Sequence, residues 1–461
     1  MTLPFAETTE TDAIPLTALT KAAFEPWRDK QIEAAQSWLA RHGFSAAQGQ
    51  SVAIPNANGE IGQVVLGLGE RSDLAAALGL PEALQGRGGI YRLSDDSEGD
   101  PATIALGWAL GNYSFERYKR SQRGDRPRLC WPAGVDRAAV TAQAEADRLV
   151  RDLVNTPAND MGPDGLAAAA RELAHELGAS CREILGDALL DGNYPLVHAV
   201  GRASAEPPRL IDIRWGHDDA PRLTLVGKGV CFDSGGLGIK PASGMELMKK
   251  DMGGAAHILG LARLIIAHGL PVRLRVLLPI VENAIAGNAF RPRDVLSSRK
   301  GLSVEIGHTD AEGRLILADA LTEADSEEPD LLIDMATLTG AARAALGPAL
   351  APYYTASETL AEALEAAAEE TADPVWRLPL WRGYQTDLDS PVADVHSTGR
   401  SGFAGSIMAA LFLKRFIAPQ RNWLHFDIYA WNPANKPGRP IGAATQGIRA
   451  LFAMLKARYD G

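Results

Sequence analysis

Residues 225–254 read LVGKGVCFDSGGLGIKPASGMELMKKDMGG, and residues 307–317 read GHTDAEGRLIL. The two stretches place five charged side chains among apolar runs: Lys228, Asp233, Asp251, Asp310 and Glu312. Burying a charge is costly unless an opposite charge or a metal ion pairs with it. Four carboxylates cannot neutralise one another, so the pattern predicts one or two divalent cations, which oxygen ligands bind well.

The local pattern indicates how a fold would bring these side chains together. Residues 222–227 are short, β-rich and end in glycine, which predicts a strand. Lys228 would then lie at the carboxyl end of that strand, where open α/β sheets build their sites. The apolar spacing of residues 253–268 predicts a helix that begins beside Asp251.

The second stretch places alternate charged residues in what reads as a tight loop. Asp310, Glu312 and Arg314 are separated by single residues. Alternate side chains of an extended chain point the same way, so we expect all three to converge on one centre. A helix is predicted to follow, from about residue 315 to residue 324.

Several segments together resemble the signatures of the leucyl aminopeptidase family, peptidase family M17, whose members are two-metal cytosolic exopeptidases. The resemblance covers roughly residues 150–461, and the first third of the chain carries little of it. Its segments are LVGKGVCFDSGG, GIK, KKDMGGAA, TDAEGRL, DLVNTPANDMGP (152–163), LLIDMATLTGA (331–341) and WLHFDIYAW (423–431).

The resemblance implies a ligand set for two metal ions. Asp233 and Glu312 look like the bridging ligands. Lys228 and Asp251 would complete one site, and Asp310 the other, by its side chain and its backbone oxygen. A lysine ligand must be neutral, and two adjacent dications would lower its pKa. Zinc or manganese is the expected metal, with magnesium or cobalt as further options.

The resemblance also implies roles for residues that hold no metal. Lys240 would stabilise the oxyanion that develops at the attacked carbonyl. Arg314 is similar to the family arginine that holds a bicarbonate acting as general base. The residues expected around the pocket for the substrate's first side chain are Met248, His308, Thr337, Leu338 and Gly340. Met248 would give that pocket an adaptable apolar wall.

His308 departs from the family, in which asparagine usually precedes the segment T-D-A-E-G-R. Three interpretations stay open. His308 could change the substrate preference, could replace a single hydrogen bond of the asparagine amide, or could act as a further metal ligand.

The chain as a whole is predicted to be α/β. We expect residues 1–150 to form a smaller N-terminal α/β domain without catalytic residues, ending in a linker helix over residues 138–153. Residues 26–42 have the pattern of one amphipathic helix in that domain. Residues 151–461 are expected to form the catalytic domain, with a mixed sheet covered by helices on both faces. Family members are hexamers, which implies a homohexamer.

Composition limits the other classes of function. The net charge of −11 and the pI near 5.4 argue against non-specific nucleic-acid binding. The N-terminus lacks a basic stretch and an apolar core, and no apolar run reaches about 18 residues, so neither a secretory signal nor a membrane span is expected. Three cysteines without site-like spacing indicate a reducing compartment, the cytoplasm.

Two rival classes of protein remain open from the sequence. One is a regulatory protein, either a DNA binder or a catalytically silent scaffold, although the acidic charge and the intact ligand set oppose these two forms. The other is a metallohydrolase that acts on small amides or dipeptides. A phosphate-binding loop is excluded, because Arg222 and Gly229 break the Walker spacing around Lys228.

Overall fold

A computed structural model describes residues 3–7, 12–84, 86–119 and 126–460. The chain divides into two compact units, one made of Met1–Arg148 with Pro433–Ile441 and the other of Leu149–Asn432 with Gly442–Gly461. The predicted α/β class, with a smaller N-terminal part and a larger C-terminal part, is confirmed. The opening residues that were judged not to be a secretory signal lie partly outside the described residues.

In the first unit, the described strands form a six-stranded sheet in the order β1-β6-β5-β2-β4-β3. Its pairs are parallel except for β3 with β4, which are joined through a turn at Asn56, whose carbonyl accepts the amide of Gly59 at 3.0 Å. Tyr91 and Trp108 are fully buried in its core. The elements are β1 (Phe5–Ala6), β2 (Ile14–Thr20), α1 (Lys21–Arg28), α2 (Glu33–Arg41), β3 (Ser51–Pro55), β4 (Ile61–Gly69), α3 (Leu74–Ala77), β5 (Ile90–Leu93), α4 (Pro101–Gly111), β6 (Arg128–Cys130) and α5 (Arg137–Asn155).

The single helix predicted over residues 26–42 is wrong, because the chain forms α1 and α2 there with a break between them. The hydroxyl of Thr20 accepts the amide of Ala23 and caps a helix that begins earlier than predicted. Pro26 therefore lies inside α1, where it removes a hydrogen-bond donor, and the helix ends at Arg28.

The second unit contains a nine-stranded mixed sheet in the order β16-β15-β18-β14-β9-β11-β8-β7, with β10 paired to β11. Its centre is parallel, and antiparallel pairs join β11 to β8, β8 to β7 and β15 to β18. The strands are β7 (Ser180–Leu185), β8 (Arg209–Trp215), β9 (Arg222–Gly227), β10 (Gly229–Asp233), β11 (Arg273–Asn283), β12 (Val295–Ser297), β13 (Ser303–Glu305), β14 (Leu331–Ala336), β15 (Ala351–Tyr354), β16 (Val375–Arg377), β17 (Val395–His396), β18 (Trp423–Asp427), β19 (Trp431–Asn432) and β20 (Gly442–Ala443). The helices are α6 (Pro163–Glu176), α7 (Ala188–Asp191), α8 (Pro195–Gly201), α9 (Ala242–Met245), α10 (Gly253–Ala267), α11 (Glu312–Ser326), α12 (Gly340–Leu346), α13 (Glu358–Glu370), α14 (Gly405–Lys414) and α15 (Ile448–Tyr459).

Helices cover both faces of this sheet. Val226 of β9 and Leu332 of β14 share a buried core with the apolar residues of α11, while α10 contacts the same two strands and contributes nothing to that core. Because neighbouring side chains of a strand point to opposite faces, α10 and α11 lie on opposite sides of the sheet.

The start of α10 lies unusually close to the sheet. A Cβ atom added to Gly254 would overlap the carbonyl oxygen of Met335, so only glycine allows this approach. The amide of Ala255 donates to the carbonyl of Lys228 at 2.9 Å, and the amide of Lys228 donates to Met335 at 3.1 Å. These contacts fix the end of β9 against the residues that lead into α10.

A buried carboxylate holds the start of α8 in place. Asp319 of α11 accepts the amides of Leu196 at 2.7 Å, of Val197 at 3.3 Å and of Arg299 at 2.8 Å. Burial raises the pKa of Asp319 to about 7. The carboxylate satisfies helix N-terminal donors that have no other partner within the helix.

We expect Asp319→Ala to destabilise the protein by about 2–4 kcal/mol, because buried amides that lose their acceptor each cost about 1–3 kcal/mol. Urea denaturation followed by fluorescence measures this change. Glu362→Ala, which removes an exposed carboxylate from α13, is the matched control and should change the stability by less than about 0.5 kcal/mol. Equal midpoints for the two variants would contradict the role assigned to Asp319.

Candidate metal centre

The candidate centre lies at the carboxyl edge of the large sheet. Lys228 follows β9, and Asp233 is the last residue of β10. Asp251 lies in a 3₁₀ turn that leads directly into α10, and Glu312 is the first residue of α11. Ligand atoms of Asp233, Asp310 and Glu312 lie within 4.8 Å of one another.

The predicted geometry of the second stretch needs a correction. Glu312 and Arg314 do not alternate along an extended loop, because both belong to the first turn of α11, which begins at residue 312 rather than 315. Their convergence on the centre comes from the start of a helix. A Cβ atom on Gly313, between them, would lie 2.5 Å from Cε of Lys228, so the glycine leaves room for the lysine.

Two lysines lie among the four carboxylates. The ammonium of Lys228 lies 2.8 Å from Oδ2 of Asp251 and 3.0 Å from Oε1 of Glu312. The ammonium of Lys240 lies 2.9 Å from Oδ2 of Asp233 and also pairs with Asp310. These contacts gather five sequence-predicted metal ligands and Lys240 into one cluster.

The carboxylates of the cluster repel one another, and this repulsion adds to the effect of burial on their pKa values. Burial raises the pKa of Glu312 well above its ordinary value, and the charge of Asp233 raises it further. Burial and then Asp233 raise the pKa of Asp310 to about 6. Burial also raises the pKa of Asp251. Four ionised carboxylates carry two more charges than the two ammonium groups can neutralise. The cluster therefore favours the binding of additional cations.

The donor set fits divalent metal ions. Oε2 of Glu312 and Oδ1 of Asn283 are buried oxygens without a hydrogen-bond donor among the described residues. Oxygen-rich sites suit zinc, manganese and magnesium. Lys228 differs from the carboxylates as a ligand, because it must lose its proton to bind a metal ion. Burial lowers its pKa, but Asp251, Glu312 and Asp233 together raise it above its ordinary value. Its role as a neutral ligand stays a prediction.

Arg314 is buried beside the cluster with part of its guanidinium unused. One terminal nitrogen donates to the carbonyl of Ser397 at 2.7 Å, while Nε has no acceptor among the described residues. Burial lowers the pKa of Arg314 to about 10, so the group is still cationic at neutral pH. An unpaired buried N–H on a cation fits a small anion such as bicarbonate.

Two uncharged residues support the ligands, and the sequence did not reveal them. The amide nitrogen of Asn283 donates to Oδ1 of Asp233 at 2.8 Å and to the carbonyl of Thr309 at 3.1 Å. The hydroxyl of Thr309 donates to the carbonyl of Gly235 at 2.6 Å. Asn283 thus connects the end of β11 to two ligand-bearing loops. The sequence signal that could have identified Asn283 was an amide side chain at the end of an otherwise apolar strand.

Three of the residues predicted around the substrate pocket, Thr337, Leu338 and Gly340, follow β14. The hydroxyl of Thr337 contacts both the carbonyl and Oδ1 of Asp251, at 2.9 and 2.8 Å. The amides of Leu338 and Thr339 donate to Oδ1 of Asp427 at 3.0 and 2.9 Å. Gly340 then begins α12. Asp427, which was noted from the sequence only as part of a resembling segment, therefore positions this loop.

The structure gives the positions of Met248 and His308, the other two residues predicted around the pocket, but it does not test their roles. Met248 begins the 3₁₀ turn that carries Asp251. His308 is exposed, and its Nδ1 accepts the amide of Asp310 at 3.0 Å. An asparagine oxygen makes this kind of bond to an amide two residues on. The geometry therefore favours the interpretation in which His308 replaces an amide hydrogen bond.

We expect Asn283→Ala to weaken divalent-metal binding about 10- to 100-fold, because it removes the group that orients Asp233. Isothermal titration of metal-free protein with Mn²⁺ measures the change. Asn422→Ala, at an exposed amide of the same fold that donates only to a backbone carbonyl, is the control and should bind as the parent does. An unchanged affinity for Asn283→Ala would remove this residue from the site.

Comparisons with known proteins cover almost the whole chain. Residues 148–452 match the catalytic domain of the cytosol aminopeptidase family, and residues 14–132 match the N-terminal domain of M17 aminopeptidases. A probable cytosol aminopeptidase of Syntrophotalea carbinolica is 40% identical over 388 residues, 79% of this chain and 77% of the relative. Among the described residues, no helix has the length and apolar character needed to cross a membrane.

Solved structures agree with the sequence relatives. The cytosol aminopeptidase of Coxiella burnetii has a TM-score of 0.93 and 45% identity, covering 99% of both chains. The bottromycin maturation enzyme BotP in complex with Mn has a TM-score of 0.86 and 36% identity, covering 97% of this chain and 99% of that one. With the family's catalytic domain matched over residues 148–452, more than half of the chain, this chain belongs to the cytosol aminopeptidase family M17, a family of metal-dependent peptidases.

Proposed function

We propose that this hydrolase releases N-terminal amino acids from peptides with a free N-terminus by means of two divalent metal ions. The observation that carries the proposal is the convergence of Asp233, Asp310 and Glu312, with ligand atoms within 4.8 Å of one another. Asp251 and Lys228 adjoin this group through the ion pair at 2.8 Å. A structural ion-pair network would not need an excess of two negative charges in a buried place.

In this proposal Asp233 and Glu312 would hold both ions, Lys228 and Asp251 would complete the ligands of one ion, and Asp310 would complete those of the other. When bound, two such ions supply Lewis acidity to the scissile carbonyl and lower the pKa of water. Zinc or manganese is the proposed metal, with magnesium or cobalt as substitutes, and the manganese complex of the relative BotP supports manganese.

Lys240 and Arg314 supply the remaining groups. Lys240 is a cation whose ammonium contacts Asp233 at 2.9 Å, so it lies beside the centre and stabilises negative charge that develops on the substrate carbonyl. Arg314 directs an unpaired Nε toward an anion and holds a bicarbonate as general base. Thr337, Leu338, Gly340, Met248 and His308 form the pocket for the first side chain.

The proposal extends to location and assembly. The relatives named cytosol aminopeptidase support a cytoplasmic location. A homohexamer is proposed from the family resemblance, and peptides rather than nucleic acid or membranes are the proposed partners, in keeping with the net charge of −11.

Metal-free protein is expected to lose hydrolysis of leucine amide and to regain it with zinc, manganese, magnesium or cobalt, because the ions supply the chemistry of the reaction. Asp251→Ala should fold normally and bind less metal, with activity reduced by at least about 100-fold. Asp219→Ala, at an exposed aspartate, is the control. Full activity of metal-free protein would disprove the proposed mechanism.

Lys240→Ala should lower kcat about 100- to 1,000-fold, as the loss of one oxyanion donor does. The metal content should be unchanged, since the substitution removes a positive charge and no proposed ligand. Steady-state kinetics and elemental analysis on the same preparation measure both quantities. A variant that loses its metals would show that Lys240 is structural or is itself a ligand.

A further inference from the structure

Two cations lie on one aromatic ring next to the candidate centre. The ammonium of Lys250 lies 4.9 Å from the ring centroid of Tyr429, and the guanidinium carbon of Arg343 lies 4.7 Å from it. Cation–π contacts of this length are attractive. The two positive charges, however, repel each other, and nothing in the proposed reaction uses them.

Lys250 is the less ordinary of the two. The residue is 5% exposed, and its ammonium makes no hydrogen bond or ion pair with any residue that the structure describes. Each of the other two lysines at the centre, Lys228 and Lys240, pairs with two carboxylates. A buried ammonium without a hydrogen-bonded anion is costly, and a cation–π contact recovers only part of that cost. Lys250 therefore favours an anionic ligand.

The pair borders the proposed pocket for the first side chain. Lys250 precedes Asp251, which contacts the hydroxyl of Thr337. A terminal nitrogen of Arg343 lies 4.0 Å from the position of a Cβ atom on Gly340. The pair thus lies next to the metal ligands on one side and next to the start of α12 on the other.

The backbone that carries this ring is held in place by hydrogen bonds. The side-chain oxygen of Gln446 accepts the amides of Tyr429 at 3.0 Å and of Ala430 at 2.8 Å. A Cβ atom on Gly253 would lie 2.7 Å from that of Ala430 and 3.0 Å from Thr337, so this segment packs directly against the start of α10. Fixed charges lower the entropic cost of ligand binding.

We propose that Lys250 and Arg343 bind the side-chain carboxylate of a peptide whose first residue is glutamate or aspartate. The ring of Tyr429 packs against the methylene groups of that side chain. This inference rests on the proposed aminopeptidase function and names its substrate class. A carboxylate in this place pairs with both cations and removes their mutual repulsion.

The test compares the p-nitroanilides of glutamate, glutamine and leucine with metal-loaded enzyme. Glutamine has the shape of glutamate without its charge, so the ratio of kcat/KM for glutamate to that for glutamine isolates the carboxylate. The parent should favour glutamate. Lys250→Met should lower this ratio about 10- to 100-fold, as expected for the loss of one charge-assisted hydrogen bond.

Two further variants keep the result interpretable. Lys249→Met removes the same charge one residue away, where the lysine instead donates to the carbonyl of Asn155 at 2.6 Å, and it should leave the ratio unchanged. Arg343→Glu reverses a charge on an exposed residue, so folding is not at issue. It should invert the preference and favour lysine p-nitroanilide over glutamate.

An unchanged ratio in both Lys250→Met and Arg343→Glu, with leucine and glutamine p-nitroanilides still cleaved, would overturn this inference and leave the proposed function standing. If the metal-loaded parent cleaves none of the substrates, the proposed function fails and this inference fails with it. The dipeptide Leu-Gly, which has a free C-terminal carboxylate, is a further substrate. If the Lys250→Met and Arg343→Glu variants lose activity only on Leu-Gly and keep it on leucine p-nitroanilide, the cations bind a C-terminal carboxylate, and this result would also overturn the inference.

Discussion

The excess of negative charge at the carboxyl edge of the large sheet is the constraint on which the rest of the second unit depends. Asp233, Asp251, Asp310 and Glu312 come from three separate segments, and two ammonium groups neutralise only half of their charge. Such a group stays together only if the surrounding backbone is fixed more strongly than the charges repel. The parallel strands, the glycine at the start of α10 and the amide of Asn283 provide that fixation.

The proposed pocket and the proposed metal centre share a single loop. The residues after β14 are bonded on one side to Asp251 through Thr337 and on the other side to Asp427 through two amides. Asp427 in turn accepts the hydroxyl of Ser406, which accepts that of Tyr354. A change in this loop would therefore alter both the position of the proposed ligand Asp251 and the proposed pocket for the first side chain.

The strands were predictable because their signals are local. The pattern of residues 222–227 matches β9 at both ends, because the burial of consecutive apolar residues decides that strand. The helix over residues 26–42 was wrong because a cap at Thr20 shifted its start. Glu312 and Arg314 were placed in a loop because charged residues at a buried helix start do not resemble an amphipathic helix.

The candidate metal ligands could be predicted from the sequence because charged residues are rare among apolar runs. The residues that hold these ligands in place could not be predicted. Asn283 is neutral, and Asp427 is one of 57 acidic residues, with amide partners 88 and 89 positions away. Contacts at that separation leave no periodic pattern in a sequence. The role of Lys250 could not be predicted for a related reason. Two adjacent lysines in a sequence usually indicate solvent-exposed side chains, and only the structure shows that Lys250 is buried.

The first unit is built from two distant pieces of chain. Residues 433–441 join it only after residues 149–432 of the second unit, and the amide of Gly438 donates to the carboxylate of Glu82 at 2.9 Å. During synthesis, the first unit therefore emerges from the ribosome without one of its own parts. Its packing is complete only when nearly the entire polypeptide has been translated, so the N-terminal unit cannot reach its final state first, as domains in order along a chain usually do.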